Sequence, residues 1–198
     1  TMMSAVPMFD ESRTYQHIPF QYSLHIQSEQ GEEPTHKEFL AETKVDQLSQ
    51  DPRGELIEKM IADLGTQGSI IAYHASFEMR CIKELARDFP QYAQELLALN
   101  DRFVDLEIPF PTKYYYTKEM QGRSSIKKVL PALVPEFSYT DLDIQEGGTA
   151  SATFLAMFKG EYEGDYPKTR QDLLDYCALD TFAMVKLLNF LNRYLLEE

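Results

Sequence analysis

Tyr176 and Asp180 stand four residues apart in LLDYCALDTFAMVKLL, residues 173–188, inside a helical pattern. Four residues is about one helical turn, so both side chains lie on one face, one above the other. An Asp so placed can ligate a divalent cation, and a neighbouring phenol can orient a water. The spacing alone equally describes an ordinary amphipathic surface. A second carboxylate, Glu78 of AYHASFE, opens a helix directly after an apolar strand. Strand ends and the helix starts that follow them are where α/β domains gather their sites. There a carboxylate is favoured by the helix N-terminus and can still reach a metal. His74 is expected to hydrogen-bond beside such a site, since hard cations prefer oxygen. Asp105 follows another short strand, where supporting the site and capping a turn are equally good roles.

A third group is basic. TKYYYTKEMQGRSSIKK, residues 112–128, carries Lys113, Lys118, Arg123, Lys127 and Lys128 against one acid, Glu119, with Tyr114, Tyr115 and Tyr116 between them. Cations interleaved with rings suit a single-stranded nucleic acid, the cations on phosphates and the rings under bases. A solvated loop whose tyrosines pack on the core reads the same residues as well.

These groups need elements to hold them. IPFQYSLHIQ alternates, with Phe20, Tyr22, Leu24 and Ile26 on one side and Gln21, Ser23, His25 and Gln27 on the other, which predicts a strand with one buried face. SEQGEEP is a turn and HKEFLA the return, making residues 18–41 a β-hairpin. In DPRGELIEKMIADLG, Asp51 caps a helix, Pro52 takes its first position, and Leu56, Ile57, Met60, Ile61 and Leu64 form the apolar stripe. SIIAYH, residues 69–74, suits an interior parallel strand. A helix bearing Phe77, Cys81 and Leu85 follows it, then a helix over 90–100 and a strand over 102–106. Pro131 should bend or shorten the helix IKKVLPAL. TASATFLAMFK is helical, and a last helix covers about 169–195. Gly147 and Gly148 precede that pair, as a loop or as a place where a substrate backbone comes close. The order implies an α/β fold, a mixed sheet covered by helices, in a single domain over residues 1–198.

Composition narrows the class. At 198 residues and 43% hydrophobic, the chain can bury a full core. No run approaches the roughly 18 apolar residues of a membrane span, and no signal-peptide pattern opens the chain, so a cytoplasmic protein without membrane partners is expected. Two cysteines, Cys81 and Cys177, fit buried thiols better than a bridge. The net charge of −13 argues against broad nucleic-acid binding and confines any such contact to the basic segment.

Taken together, PFQYSLHI, GSIIAYHASFE, SIKKVLPALVPE and LLDYCALDT resemble the DEDD 3′–5′ exonucleases of the ribonuclease H-like fold, in the subgroup with a tyrosine in its last motif, and within that fold an uncharacterised bacterial group. The resemblance covers nearly the whole chain. It implies two divalent ions, Mg²⁺ or Mn²⁺, held by four carboxylates. Asp180 and Glu78 are two of these ligands, and Tyr176 orients the attacking water. HASFE departs from the family's second motif, with His74 where Asn stands and Glu78 where Asp stands. The first motif, Asp-any-Glu on a central strand ahead of the hairpin, is absent. Asp105–Leu106–Glu107 has that pattern but follows the second motif, so it is not the missing one.

The resemblance implies that Thr1 follows those two acids, and that the chain is a fragment of a longer protein with half the metal site outside it. On its own the fragment is then expected to be inactive, holding one ion or none. The first strand of this fold lies between the hairpin and SIIAYH, so its place should be filled by residues 1–9 or by a segment of another chain. Lys113, Tyr115, Arg123, Lys127 and Lys128 are the expected contacts to a single-stranded 3′ end. The alternative is a catalytically degenerate module of the same fold that binds nucleic acid or a partner domain.

Overall fold

The computed structural model describes residues 1–29, 31–137, 144 and 146–197. Strands β1 (Gln21–Ile26) and β2 (Thr35–Leu40) form the hairpin, antiparallel from Gln21↔Leu40 to Ile26↔Thr35. Both faces of β1 are covered, not one. Tyr22 packs on the first of two apolar cores and donates its hydroxyl to Asp63 at 2.7 Å. The opposite, polar face lies against the last helix, α6 (Tyr166–Glu197). Gln21 Nε2 donates to the Leu173 carbonyl at 2.7 Å, and Ser23 Oγ and His25 Nδ1 meet Thr181 Oγ1 at 2.7 and 2.8 Å. These bonds let a polar strand face be buried without leaving its groups unpaired.

Helix α1 (Arg53–Leu64) buries Leu56, Ile57 and Met60, and Asp51 Oδ1 accepts the Arg53 N–H at 3.0 Å. Pro52 takes the capping position, one place ahead of the first helical turn expected for it. β3 (Ile70–Ala72) leads into α2 (Ser76–Asp88), which is followed by a short 3₁₀ turn, α3 (Ala93–Asn100) and β4 (Phe103–Asp105). β3 and β4 are parallel, with Ile70↔Phe103 and Ala72↔Asp105. α4 (Ile126–Leu133) runs through Pro131, whose missing N–H removes one bond to the preceding turn, and ends after a short eight residues. α5 (Gly147–Lys159) closes on Gly160, whose φ of +73° and 2.4 Å approach of a would-be Cβ to the Gln47 nitrogen admit glycine alone.

The expected single mixed sheet is replaced by two two-stranded sheets, β1–β2 and β3–β4. A cleft of about 320 Å³ separates them. Its walls are residues 23–27 of the hairpin and 69–71 at the start of β3; Asp63 and Leu64 of α1, Gln67 and Gly68 after it, Arg102, and Thr181, Met184, Val185 and Leu188 of α6 also line it. The cleft also divides the apolar interior. One core gathers Met2, Ile18, Phe20, Phe39, Leu56, Ile57, Leu85, Phe154 and Phe158; the other gathers Leu106, Phe110, Val129, Leu130, Ala183 and Leu187. Ile70 packs on the first and Ile71 on the second. Residues 1–9 do not fill the cleft, contrary to one expectation. Met2 exchanges both backbone hydrogen bonds with Ile18 at 2.9 Å, and Met8 and Phe9 pack on the first core. No described helix is long and apolar enough to cross a membrane.

Candidate functional site

The sequence pair on α6 is joined by a hydrogen bond, Tyr176 hydroxyl to Asp180. Burial, then the Asp180 charge and that bond, push the Tyr176 phenol well above its ordinary value. It is therefore a protonated donor at neutral pH and suits orienting a group better than removing a proton from one. Gly147, at the start of α5, lies beneath the hydroxyl, where a Cβ would stand 3.8 Å away. Gly148 has open space at that position. Beside Tyr176, burial and Asp180 push the Cys177 thiol up to about 12, and burial raises Cys81 to about 11. Both cysteines are free and, at those values, protonated.

Glu78 stands in the first turn of α2, half-buried. Its Oε2 is out of contact with water and has no hydrogen-bond partner. Desolvation raises its carboxyl above the ordinary value, outweighing its own backbone N–H and the nearby His74. The backbone nitrogen of Thr1 lies near Cys81 and Glu78 of α2 and near Cys177 of α6. The start of α2 and the middle of α6 thus border one point.

Around His74 the structure favours the turn-capping role for Asp105. Its Oδ1 accepts the His74 and Glu107 N–H groups, both at 2.9 Å, and its Oδ2 accepts that of Ala75 at 3.1 Å. Those bonds hold His74 at φ +64°, a left-handed conformation unusual for a side-chain-bearing residue. The exposed imidazole bonds Glu107 Oε2 through Nδ1 at 2.7 Å, and that bond is the main reason its pKa is raised. Glu107 Oε1 in turn accepts Ser124 Oγ at 2.9 Å, and the Tyr73 hydroxyl donates to the Ser124 carbonyl. Sequence reasoning missed Glu107, Ser124 and Tyr73 as the tie between the β3 end and the start of α4. The Asp105–Leu106–Glu107 pattern was the available signal.

The basic segment is exposed at Lys113, Arg123, Lys127 and Lys128. Lys127 and Lys128 border a depression of about 220 Å³ with Glu119 and Gln121. The choice of Tyr115 as a base-stacking ring needs correction. Its half-buried ring makes T-shaped contacts with Phe110, Phe190 and Tyr194 at the second core and is not free to stack in the open. The exposed rings are Tyr114 and Tyr116, 85% and 51% accessible.

Among the described residues no three His, Cys, Asp or Glu side chains stand close enough together to hold a metal ion. The orphaned Glu78 oxygen is what a cation ligand looks like without its cation, but two carboxylates do not make a two-ion site.

Comparison with known proteins gives a family rather than an activity. The chain resembles the "Uncharacterized protein MG366 homolog" of Mycoplasma pneumoniae (strain ATCC 29342 / M129 / Subtype 1), at 28% identity over 213 aligned residues. The match takes in 100% of this chain and 32% of that protein, so the chain spans about a third of its relative. No solved structure matches. The sequence profile described as "Domain of unknown function (DUF2779)" matches residues 1–125, more than half of the chain, and the chain belongs to that family.

Proposed function

We propose that this domain carries the Tyr176, Asp180 and Glu78 portion of a metal-dependent 3′–5′ exonuclease site on a ribonuclease H-like fold that lacks its first central strand, the remaining acids coming from elsewhere in a longer protein. The observation that carries this reading is the hydrogen-bonded Tyr176–Asp180 pair facing Gly147, with the unpaired Glu78 oxygen brought toward the same end of the domain, near Thr1. The described residues do not assemble a metal cluster, so no chemical step is assigned to an ion here. In the complete site, Mg²⁺ or Mn²⁺ would activate water and stabilise the leaving oxygen.

What the chain's own residues contribute is positioning. Tyr176 keeps its proton and offers a directed hydroxyl beside Asp180. Glu78 brings an anionic oxygen into a dry place, where electrostatic interactions are strengthened. Lys113, Arg123, Lys127 and Lys128 offer phosphate contacts, with Tyr114 and Tyr116 available to stack on bases.

The test uses the full-length protein, Mg²⁺ or Mn²⁺, and 3′-labelled single-stranded DNA and RNA. Asp180→Asn should abolish trimming, and Tyr176→Phe should slow it while leaving metal binding intact. Lys127→Ala should chiefly weaken substrate binding and flatten its salt dependence. Glu in place of Asp at 78 favours one other reading: a degenerate module that binds nucleic acid or a partner domain. Intact 3′ ends with both substrates, together with retained oligonucleotide binding, would decide for the module.

A further inference from the structure

We propose that His25 and His36 form a proton-operated latch, which holds the Ile26–Thr35 end of the hairpin against α6 while at most one of the two rings is charged and releases it when both are. The proposal rests on the contact between the hairpin and α6 alone and holds whatever chemistry the domain performs.

The register of the hairpin builds the pair. His25 and His36 stand directly opposite each other on β1 and β2, and their rings stack with centroids 4.5 Å apart and planes 23° from parallel. His36 Nε2 meets Ser23 Oγ at 2.9 Å, Ser23 Oγ meets Thr181 Oγ1 at 2.7 Å, and Thr181 Oγ1 meets His25 Nδ1 at 2.8 Å. The chain thus runs ring, hydroxyl, hydroxyl, ring, and its middle link joins the hairpin to α6. Two hydroxyl protons cannot fill three links, so one ring nitrogen donates and the other accepts. A pair with no charge or one charge meets that need. A second charge puts N–H groups on both linking nitrogens, and Thr181 can then turn its proton to the Ala178 carbonyl at 3.1 Å. The bonds can be re-formed, but like charges directly opposite on neighbouring strands repel.

The surroundings offset a charge on one ring and not on the other. Glu38 of β2 places Oε2 3.8 Å from His36 Nε2 and favours a charge there. On the α6 side, Phe182 packs on His25 with centroids 5.3 Å apart, and the Lys186 ammonium lies 4.7 Å from the centre of that same phenylalanine. Burial, then the His36 ring, holds the His25 pKa below its ordinary value, and no carboxylate is among the causes. Cys177, one turn before Thr181, is held protonated by burial and Asp180 and adds no charge. Asp63 and Arg102 line the same cleft, but Asp63 is engaged with Tyr22, Lys37 and Lys59, and Arg102 with backbone carbonyls of residues 64–68. A histidine with a depressed folded pKa supports the fold above its ordinary 6.5 and withdraws that support as pH falls.

The two ends of the hairpin are held by different chemistry, which makes the release a hinge. At the Gln21–Leu40 end, Gln21 Nε2 donates to the Leu173 carbonyl at 2.7 Å, and Arg170 donates to the carbonyls of Ala41 at 2.7 Å and Leu40 at 3.3 Å. Amide, guanidinium and carbonyl groups do not titrate near neutral pH, so this end stays on α6. Toward the Ile26–Thr35 end, the ties to α6 run through the two hydroxyls and the two rings. Histidine is the side chain that changes charge in this range. Charging both rings therefore swings the far end about the held one. Ser23, His25 and Thr181 all line the cleft, so the swing changes its width.

The test measures how fast Cys177 and Cys81 of the full-length protein react with 4,4′-dithiodipyridine at about pH 7.5 and about pH 5, each thiol read by mass spectrometry. Cys177 stands on α6 at the joint, close enough to β2 to feel Glu38, whereas Cys81 is buried on α2. The ratio of the two rates cancels the pH dependence of the reagent. In the wild type the ratio should rise at least about tenfold on acidification, as local opening uncovers Cys177 alone. His25→Gln and His36→Gln each leave a single ring and keep a polar group in the chain, so each should hold the ratio at its wild-type neutral value at both pH values. An unchanged wild-type ratio would overturn the proposal, as would a rise that survives either substitution. A variant ratio already raised at about pH 7.5 would also overturn it, because that ring would then be a fixed support and not half of a switch.

Discussion

Replacing Glu78 with Gln should make this domain more stable while impairing any role its charge serves. The wild-type carboxylate has one oxygen shut away from water and without a hydrogen-bond partner, and desolvation holds its pKa above the ordinary 4.5. An acid whose folded pKa is raised contributes its full stability below the unfolded value and loses it as pH rises through the folded value. Above that pH the folded state bears the whole penalty of the charge. A buried atom left unpaired costs about 1–3 kcal/mol and more when it is charged; the Gln amide keeps the unpaired atom but removes the charge, so only part of that cost is recovered. Glu78 is only half-buried, so the low end applies, about 1 kcal/mol. In a domain of this size that corresponds to about 2–4 °C in melting temperature. Urea unfolding of wild type and Glu78→Gln at pH 8 should show the gain, and the gain should fade on acidification as the wild-type carboxyl takes up its own proton. A variant that is less stable at pH 8, or whose advantage grows toward low pH, would refute the reasoning.

Arg53 is 1% accessible and pairs with Asp51 at 2.8 Å and with Asp88, itself nearly inaccessible, at 3.1 Å; its guanidinium also lies over the rings of Phe9 and Phe89. Arg53→Met should cost about 3 kcal/mol, because Asp88 keeps Arg13 and Gln16 but loses its most buried partner; calorimetry should show a melting temperature lower by roughly 6–12 °C. Gly160→Ala should cost about 2 kcal/mol or more in urea unfolding, from the left-handed backbone and the contact with Gln47 together.

The helices and hairpin were legible because their signals are local. The stripe of α1, the proline in α4 and the apolar run of β3 each act within a few residues. Asp105 was legible as a choice between two roles, and only the three N–H groups gathered on its carboxylate decide it. What sequence could not give are the partnerships across long separations. Arg53 looks like a surface residue of an amphipathic helix until Asp88, 35 positions away, neutralises it in the interior. Arg102 likewise gathers carbonyls of Leu64, Gly65, Gln67 and Gly68, stitching the end of α1 to β4 with no motif to announce it. Tyr115 follows the same rule: three tyrosines in a row are chemically alike, and only the position of Phe190 and Tyr194 on α6 decides which of them turns inward. β1 shows the rule most clearly. Alternation assigns Ser23 and His25 to solvent, yet Thr181 on α6 satisfies both, so this polar face is buried at little cost. With both faces of β1 packed against described elements and one edge taken by β2, the edge beside the cleft is the side of this strand left open among the described residues.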